Sequence, residues 1–200
     1  MSCSFILSSN TSDFTTVINN LMRHPNTDYE AALLSLDTYN SIPNITMKNN
    51  VFRYFNGNAW KLITLNVGAY ELSSIDNEIK RQMLVNGDSP TAITISPEVS
   101  TSRSIVNITG NEYKVDFGVE NSIGTLLGFN GGILSVGYNL SSQIVDIMPI
   151  NSILVNIDII QGSYINGKSS PIIHSFYPNV GPGYKTVSYT HLTLPTILRV

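Results

Sequence analysis

The hydrophobic and polar positions of this chain follow two different rhythms. Along most of the sequence, short runs in which apolar and polar residues alternate are separated by Asn, Gly, Ser and Pro, which is typical of β-strands joined by turns. Residues 68–83, GAYELSSIDNEIKRQM, differ because Leu72, Ile75, Ile79 and Met83 recur at helical spacing. The pattern predicts an all-β protein that carries a single amphipathic helix.

The helix is predicted over about residues 74–85. Ser73 or Ser74 could cap its first turn, since a serine oxygen accepts hydrogen bonds from free backbone N–H groups. The dipole of a helix favours acidic side chains in the first turn and basic ones later, and the charged residues follow that order: Asp76, Glu78, Lys80 and Arg81. Asn86 and Gly87 are expected to end the helix. About three helical turns are marginally stable alone, so the apolar stripe must pack on a sheet.

Strands are predicted on both sides of the helix. Residues 31–36 could form a strand or a helix, since Ala, Leu and Glu favour helices. The alternation of Leu34 and Leu36 with polar neighbours favours the strand. Asn56-Gly57, between VFRYF and WKLITLNV, predicts a hairpin. Further strands are predicted at residues 5–7, in TAITIS, SIVNITG, EYKVDFGV, GILSVGY and QIVDIM, and at residues 153–160.

The same alternation predicts which side chains face the core. The inward set is Tyr113, Val115 and Phe117 in one strand, Val155, Ile157 and Ile159 in another, and Leu126, Leu127 and Phe129 in a turn-rich segment. In WKLITLNV the alternation is imperfect, and it groups Trp60 and Leu62 on one face against Lys61 and Ile63 on the other. Regularly spaced short strands of this kind indicate an antiparallel β-sandwich or a barrel.

Composition sets limits on function. The chain has 200 residues, of which 12% are charged, about half the share of roughly 25% in ordinary globular domains. A weakly charged surface opposes self-association little. The net charge of −3 gives no basic footprint for nucleic acid, so no specific nucleic-acid partner is predicted. The sequence has no run of apolar residues long enough for a membrane span, and its start lacks the basic residues of a signal peptide.

Catalytic and metal-binding patterns are not found in the sequence. His24, His174 and His191 lack the spacing of a metal site, and Cys3 has no histidine signature that would indicate a nucleophile. There is no GxSxG motif, and GFNGG lacks the strand, helix and lysine of a phosphate-binding loop. We therefore predict that the chain is not an enzyme and has no catalytic, cofactor-binding or metal-binding residues.

Two further sets of charged residues are interpreted as solvated surface. Asp116 with Glu120, and Asp28 with Glu30, could be paired carboxylates, but exposed strand faces explain them more simply. The basic residues are scattered along the chain, and a solvated face is the better interpretation of them: Lys80, Arg81, Arg103 and Lys114.

Several segments together resemble proteins encoded by Polinton (Maverick) transposons and related adintovirus-like viruses. They are NTDYEAALLSLDTYNSIPNIT with NNVFRY, then GAYELSSIDNEIKRQM, IGTLLGF, and NSILVNIDIIQGSYINGKSSPIIHSFYPNVGPGYK. The resemblance runs from about Met1 to Lys185. It is greatest to the penton-like minor capsid protein of these elements. It carries no catalytic motif and marks no individual contact residues.

The resemblance implies a fold and a role. It implies a β-sandwich of the jelly-roll type over residues 1–185, with the helix in a connection between strands over an open end of the sandwich. It implies a structural virion protein that self-associates as a pentamer, binds the major capsid protein and needs no cofactor. Assembly would take place in the nucleus or the cytoplasm of a host cell. The alternative is a non-catalytic ligand-binding or attachment module built on the same sandwich.

The end of the chain departs from this resemblance. VSYTHLTLPTILRV, residues 187–200, resembles translated sequencing-adapter sequence, so residues 186–200 are predicted to be a non-native tail. A genuine terminal strand is the alternative, since YTHLTL alternates passably. On the first interpretation, the chain is expected to lack its last one or two jelly-roll strands, and the tail should bury few side chains, with Leu192, Leu194 and Ile197 exposed or lightly packed.

Overall fold

The structure is a computed structural model that describes residues 5–16, 30–147, 150, 152–158, 164–181, 183–189 and 198–199. Within these residues the helix α1 spans Leu72–Val85. The strands up to residue 140 are β1 (Glu30–Ala31), β2 (Ser35–Tyr39), β3 (Val51–Asn56), β4 (Trp60–Thr64), β5 (Ile93–Glu98), β6 (Arg103–Ile108), β7 (Tyr113–Asp116), β8 (Ile133–Leu134) and β9 (Gly137–Leu140). The later strands are β10 (Ile153–Asn156), β11 (Tyr164–Ile165), β12 (Lys168–Ser169), β13 (Ile172–Phe176), β14 (Lys185–Tyr189) and β15 (Leu198–Arg199).

Two antiparallel sheets form the body of the fold. Sheet one has the strand order β4-β3-β7-β8, and sheet two has the order β5-β6-β9. The predicted hairpin is confirmed, because β3 and β4 pair with Phe55 opposite Trp60. Its turn is closed by Asn56, whose side-chain Oδ1 accepts the backbone N–H groups of Asn58 and Ala59 at 3.0 and 2.9 Å. Gly57 has a φ of +95°, a conformation that glycine adopts without strain.

The two sheets and the helix share one hydrophobic core. Phe52 and Tyr54 of sheet one, Ile93 and Val106 of sheet two, and Ile79 of the helix are all buried in the same cluster. The predicted inward residues Val115, Phe117, Leu126, Leu127 and Phe129 belong to it as well, and Tyr113 packs against it. The prediction of an antiparallel all-β sandwich with one helix is confirmed. The strand order does not establish jelly-roll connectivity, which stays a prediction.

The apolar stripe of α1 is buried as predicted. Leu72, Ile75, Ile79 and Met83 are all buried, and the helix ends at Asn86, followed by Gly87 with a φ of +77°. The predicted serine cap is wrong, because the N-cap is Glu71 and its side chain makes no capping hydrogen bond. Burial of Leu72 explains the earlier start, since helical geometry from this residue onward places all four apolar side chains on one face.

The earlier start also changes the place of the acidic residues. The first turn contains no acidic residue, and Asp76 lies in the second turn. There Asp76 Oδ1 accepts the backbone N–H of Ile95 at 2.7 Å, while its other oxygen lies 2.7 Å from Lys80 Nζ. Because β5 is an edge strand of sheet two, this N–H points away from the sheet. The helix therefore covers the edge of β5 and satisfies its backbone.

The predicted grouping of side chains in β4 is confirmed, and the structure adds which group is buried. In β4 the buried residue is Ile63, whereas Trp60 and Leu62 are on the outer face. The paired strand β3 decides this, because Ile63 lies opposite buried Phe52, and directly opposed residues share a face. Two predicted strands are wrong: residues 5–7 are exposed and form no strand, and the described residues 143–147 of QIVDIM form no strand either. Neither segment pairs with a neighbouring strand in the described part of the chain.

The remaining strands form two-stranded sheets: β1 with β15, β10 with β13, β11 with β12, and β2 with β14. Residues 31–36 are not helical, and the strand predicted there is interrupted: β1 ends at Ala31, residues 32–34 form no strand, and β2 begins at Ser35. In the predicted strand at 153–160, Val155 and Ile157 alternate with exposed Asn156 and Asp158, although β10 ends at Asn156. Ile159 lies outside the described residues.

The predicted tail boundary falls inside β14. This strand runs from Lys185 to Tyr189 and pairs with β2, and Thr186 is buried within it. Pairing with an available edge is what either a native strand or a foreign segment would do, so the boundary stays a prediction. Leu192, Leu194 and Ile197 lie outside the described residues.

Candidate interaction surfaces

The outer face of sheet one carries aromatic and basic side chains in adjacent positions. Arg53 and Phe55 of β3 lie opposite Leu62 and Trp60 of β4, and Phe55 lies opposite Lys114 of β7. Directly opposed residues share a face, so these five side chains form one surface, which we call the aromatic face. Ile133 of β8 extends it, because it lies opposite Asp116, which in turn lies opposite Arg53.

Cations and rings are stacked on the aromatic face. The guanidinium carbon of Arg53 lies 4.5 Å from the centre of the Trp60 ring, and the rings of Phe55 and Trp60 are 5.4 Å apart. Lys114 Nζ lies 5.9 Å from the centre of the Phe55 ring. Contacts of this kind at exposed sites contribute about 0.5–1 kcal/mol each. They fix the side chains in place, so that the surface is ordered before any partner binds.

Of the two cations on the aromatic face, Arg53 is neutralised by a carboxylate, whereas Lys114 is not within the described residues. Arg53 Nη1 donates to Asp116 Oδ2 at 3.1 Å, and Asp116 Oδ1 also accepts the backbone N–H of Gly118. Asp116 is buried and paired with an arginine, so its interpretation as solvated surface is wrong. The ion pairs of the described residues do not include Lys114.

The outer face of sheet two exposes two large side chains, Tyr138 and Leu140, among polar ones, and the ion pairs of the described residues include neither of its charged residues Glu98 and Arg103. Ile105 lies opposite Leu140, Asn107 lies opposite Tyr138, and Glu98 lies opposite Arg103. We call this the tyrosine face. Glu98 accepts hydrogen bonds from Ser100 Oγ at 2.6 Å and, at the longer distance of 3.5 Å, from Tyr138 Oη.

The protonation state of Glu98 follows from these contacts. Hydrogen bonds from the hydroxyl and the backbone N–H of Ser100 lower the pKa of the Glu98 carboxyl from its ordinary value. Glu98 is therefore ionised at neutral pH. Arg103 lies opposite it in the ladder, but the ion pairs of the described residues do not join the two.

A partly buried polar cluster joins the end of α1 to the β3–β4 hairpin. Asp88 accepts hydrogen bonds from Tyr54 Oη at 2.6 Å and Asn56 Nδ2 at 2.9 Å, and Lys61 Nζ lies 2.9 Å from its carboxylate. Lys61 also donates to the carbonyl oxygen of Asn86, and Asn86 Nδ2 donates to Tyr54 Oη. Each polar group has a partner within the cluster, so it acts as a structural tie.

Burial and hydrogen bonding oppose each other at Asp88. Burial raises the pKa of its carboxyl, but hydrogen bonds from Asn56, Tyr54 and Lys61 outweigh burial, and the pKa is lowered overall. Burial raises the pKa of Tyr54, and its hydrogen bond to Asp88 raises it further. Tyr54 is therefore a neutral donor and Asp88 an ionised acceptor at neutral pH, which is the arrangement that the cluster requires.

The residues considered for catalysis are not brought together. His174 Nε2 lies 2.8 Å from Ser188 Oγ, and its ring stacks on Phe176. Ser188 belongs to the segment predicted to be foreign, so the pair supports no catalytic site. His24, His191, Cys3 and Asp28 lie outside the described residues. The described part of the chain contains no group of three or more His, Cys, Asp and Glu side chains that could hold a metal ion.

A shallow depression of about 270 Å³ lies beside β13 and β14. Phe176, Tyr177 and Asn179 form one side of it, and Thr186 and Ser188 form the other. The hydroxyl oxygen of Thr186 is buried and has no hydrogen-bond partner. Three of the seven residues that line this depression belong to the predicted tail, so it gives no independent indication of a ligand.

The basic residues singled out in the sequence lie on different elements. Lys80 is paired with Asp76 and Arg81 with Glu78, all on the surface of α1. Arg103 lies on sheet two and Lys114 on sheet one. Sequence reasoning missed the aromatic face because it did not consider Arg53. The signal that could have indicated it was the hairpin register, which places Arg53 and Phe55 beside Trp60.

Comparison with known proteins gives no match, whether to a protein-family model, a curated protein or a solved structure. Among the described residues, no helix has the length and apolar character that crossing a bilayer requires. The function proposed below therefore rests on these surfaces together with the sequence resemblance.

Proposed function

We propose that the chain is a structural virion protein, a penton-like minor capsid subunit of a Polinton-type element or a related DNA virus. The observation that carries the proposal is that both outer faces of the sandwich expose large apolar side chains: Trp60, Leu62 and Ile133 on one face, Tyr138 and Leu140 on the other. Exposed apolar surface rimmed by polar residues is typical of protein–protein contacts. The sequence resemblance and the low share of charged residues support the same role.

In this role the rigid sandwich would act as a building block. Its two sheets and helix share one core, so the subunit keeps its shape while its outer faces bind neighbours. Capsid rings close through contacts between different patches of successive subunits, and a five-membered ring is the form that the resemblance implies. Contacts to the major capsid protein would then be made by surfaces that remain free in the ring.

Assembly tests this proposal. The purified chain is examined by sedimentation velocity and native mass spectrometry over a range of concentrations, alone and with the major capsid protein of the same element. We expect a closed pentamer and its co-sedimentation with the major capsid protein. A chain that stays monomeric at high concentration and ignores the capsid protein would refute the structural role.

The stacked rings of the aromatic face favour a second candidate, a ligand-binding or attachment module. Trp60 and Phe55, with Arg53 and Asp116 beside them, present a ring surface together with hydrogen-bond donors and acceptors. Such a surface could bind a sugar by stacking and hydrogen bonding. A glycan array probed with the chain and with its Trp60→Ala variant separates the two functions, since only an attachment module loses a specific signal on this substitution.

A further inference from the structure

We infer that the aromatic face of one copy binds the tyrosine face of the next copy, so that the chain assembles head to tail. The inference rests on the proposed structural role and specifies its contact. The occupant is a second copy because Lys114, the cation of the first face that makes no ion pair among the described residues, matches Glu98, the carboxylate of the second, and because both faces expose apolar side chains.

The aromatic face carries one positive charge that has no acidic partner among the described residues. Asp116 neutralises Arg53, which leaves Lys114 as a cation on an exposed position over the Phe55 ring. The ring attracts the ammonium group but provides no opposite charge. A carboxylate from outside the chain would complete this site.

The tyrosine face provides such a carboxylate. Glu98 is held by the hydroxyl of Ser100 and by a long hydrogen bond from Tyr138, which are neutral donors. Its charge therefore remains available even though Arg103 lies opposite it in the ladder. Lys114 and Glu98 are on the outer faces of different sheets, so an internal ion pair between them would have to cross the sandwich.

The apolar parts of the two faces also correspond. Leu62 on β4 and Ile133 on β8 are exposed on the first face, and Tyr138 and Leu140 are exposed on the second, where Tyr138 donates to Glu98. Aromatic and apolar anchors surrounded by a few polar groups are the usual composition of a binding surface. Contact between the faces would cover both sets at once.

The symmetry of the contact follows from where the faces lie. Since they belong to opposite sheets of one sandwich, binding of one to the other is heterologous, and the rotation between successive copies decides whether the assembly closes into a ring or continues as a filament. A two-fold contact of the aromatic face with itself would instead bring the Lys114 side chains of both copies to the same interface. Like charges at one interface disfavour that arrangement.

A charge-reversal cycle tests the inference. Lys114→Glu and Glu98→Lys are made singly and together, and self-association is measured by sedimentation velocity at low and high salt. We expect each single reversal to weaken association by about tenfold or more at low salt, and the double reversal to return it to within about threefold of the original chain. The matched controls are Lys168→Glu and Asp158→Lys, which change exposed charges outside the two sheets and should leave association unchanged.

The possible results separate the inference from the proposed function. If the original chain is monomeric, both are overturned. If it assembles but the reversals have no more effect than the controls, this contact is wrong while the structural role stands. Loss of association in both single variants without recovery in the double variant also overturns the contact. Melting curves of all variants establish that each one is folded.

Discussion

The two halves of the described chain show similar alternation but very different burial. Within the described residues, every fully buried hydrophobic side chain lies between Ile45 and Phe129. In the region from residue 150 to residue 189, the strands form two-stranded sheets, and Leu154 and several tyrosines are exposed. Alternation is present in both regions, so it does not by itself produce a core.

The difference is a matter of what covers the inward face. Phe52 and Tyr54 of sheet one are covered by sheet two and α1, which complete a shared cluster. Val155 of β10 is only partly covered, because its sheet has two strands. An isolated two-stranded sheet has only marginal stability, whereas a sheet that packs on a second layer gains stability from the buried apolar side chains.

Removal of side-chain volume should separate the two regions most strongly. Ile79→Ala leaves a cavity where a helix side chain is fully buried, and we expect it to lower the free energy of unfolding by about 2–4 kcal/mol. Leu154→Ala removes a similar volume from an exposed position and should cost about 0.5 kcal/mol or less. Urea unfolding of both variants measures the contrast, and equal losses would show that the two regions are packed alike.

Glycine positions should show the same contrast. Gly128 has a φ of +83°, and an added Cβ would lie 2.3 Å from the carbonyl oxygen of Gln143. We expect Gly128→Ala to cost about 2–3 kcal/mol, because backbone strain and a clash with backbone combine. Gly167 in the second region has a φ of +79° with no atom near the added Cβ, so Gly167→Ala isolates the strain. If both substitutions lower the melting temperature equally, the clash with the Gln143 carbonyl oxygen does not contribute to the loss of stability.

The polar tie within the first region gives a pH dependence. The pKa of Asp88 is lower in the folded protein than in the unfolded chain, where a carboxyl titrates near about 3.9. Ionised Asp88 therefore stabilises the fold above that pH, and the stabilisation is lost as the pH falls through the folded pKa. Asp88→Asn should cost about 1–2 kcal/mol at neutral pH.

The contribution of Asp88 is read from the difference between the two proteins. Unfolding free energies of the original chain and Asp88→Asn should converge as the pH is lowered through the titration of Asp88. Asp158→Asn, at an exposed position, serves as the matched control and should run parallel to the original chain. If the difference in unfolding free energy between the original chain and Asp88→Asn does not change with pH, ionised Asp88 is not the source of the stabilisation.

The smallest effect is expected at the predicted tail. Thr186 is the one fully buried residue of β14, and its hydroxyl has no partner, so β14 matches its site poorly. A chain ending at Lys185 should differ in stability by about 0.5 kcal/mol, as surface changes do. Thermal melting compares the two chains. If the shorter chain unfolds under conditions where the longer one is stable, residues 186–200 are native structure.

The sequence predicts elements that depend on local patterns. The helix and its buried face follow from the spacing of Ile75, Ile79 and Met83, and the hairpin follows from Asn56-Gly57. The position of the N-cap does not follow from the sequence, because Ser73 and Ser74 suit an N-cap equally well. Only the burial of Leu72 decides where the helix begins.

Features that depend on pairing are less predictable. In β4, Trp60, Leu62 and Ile63 are all apolar, and the core-facing one is determined by the register with β3. The aromatic face depends on the same register, since Arg53 and Trp60 are brought together by two paired strands. Lys114 and Glu98 are placed on the two outer faces of the sandwich by the way the two sheets stack. Local spacing in the sequence contains no information about that stacking.

The contact between Asp76 and the backbone of Ile95 has a consequence for how copies of the chain can accumulate. A bare edge strand recruits further strands and leads to fibrils that grow without limit. Here the helix occupies that edge of sheet two, and its carboxylate already accepts the N–H that an incoming strand would need. Lateral strand addition is blocked along β5. An incoming strand would first have to displace the helix, so this edge of the sandwich is protected against runaway growth.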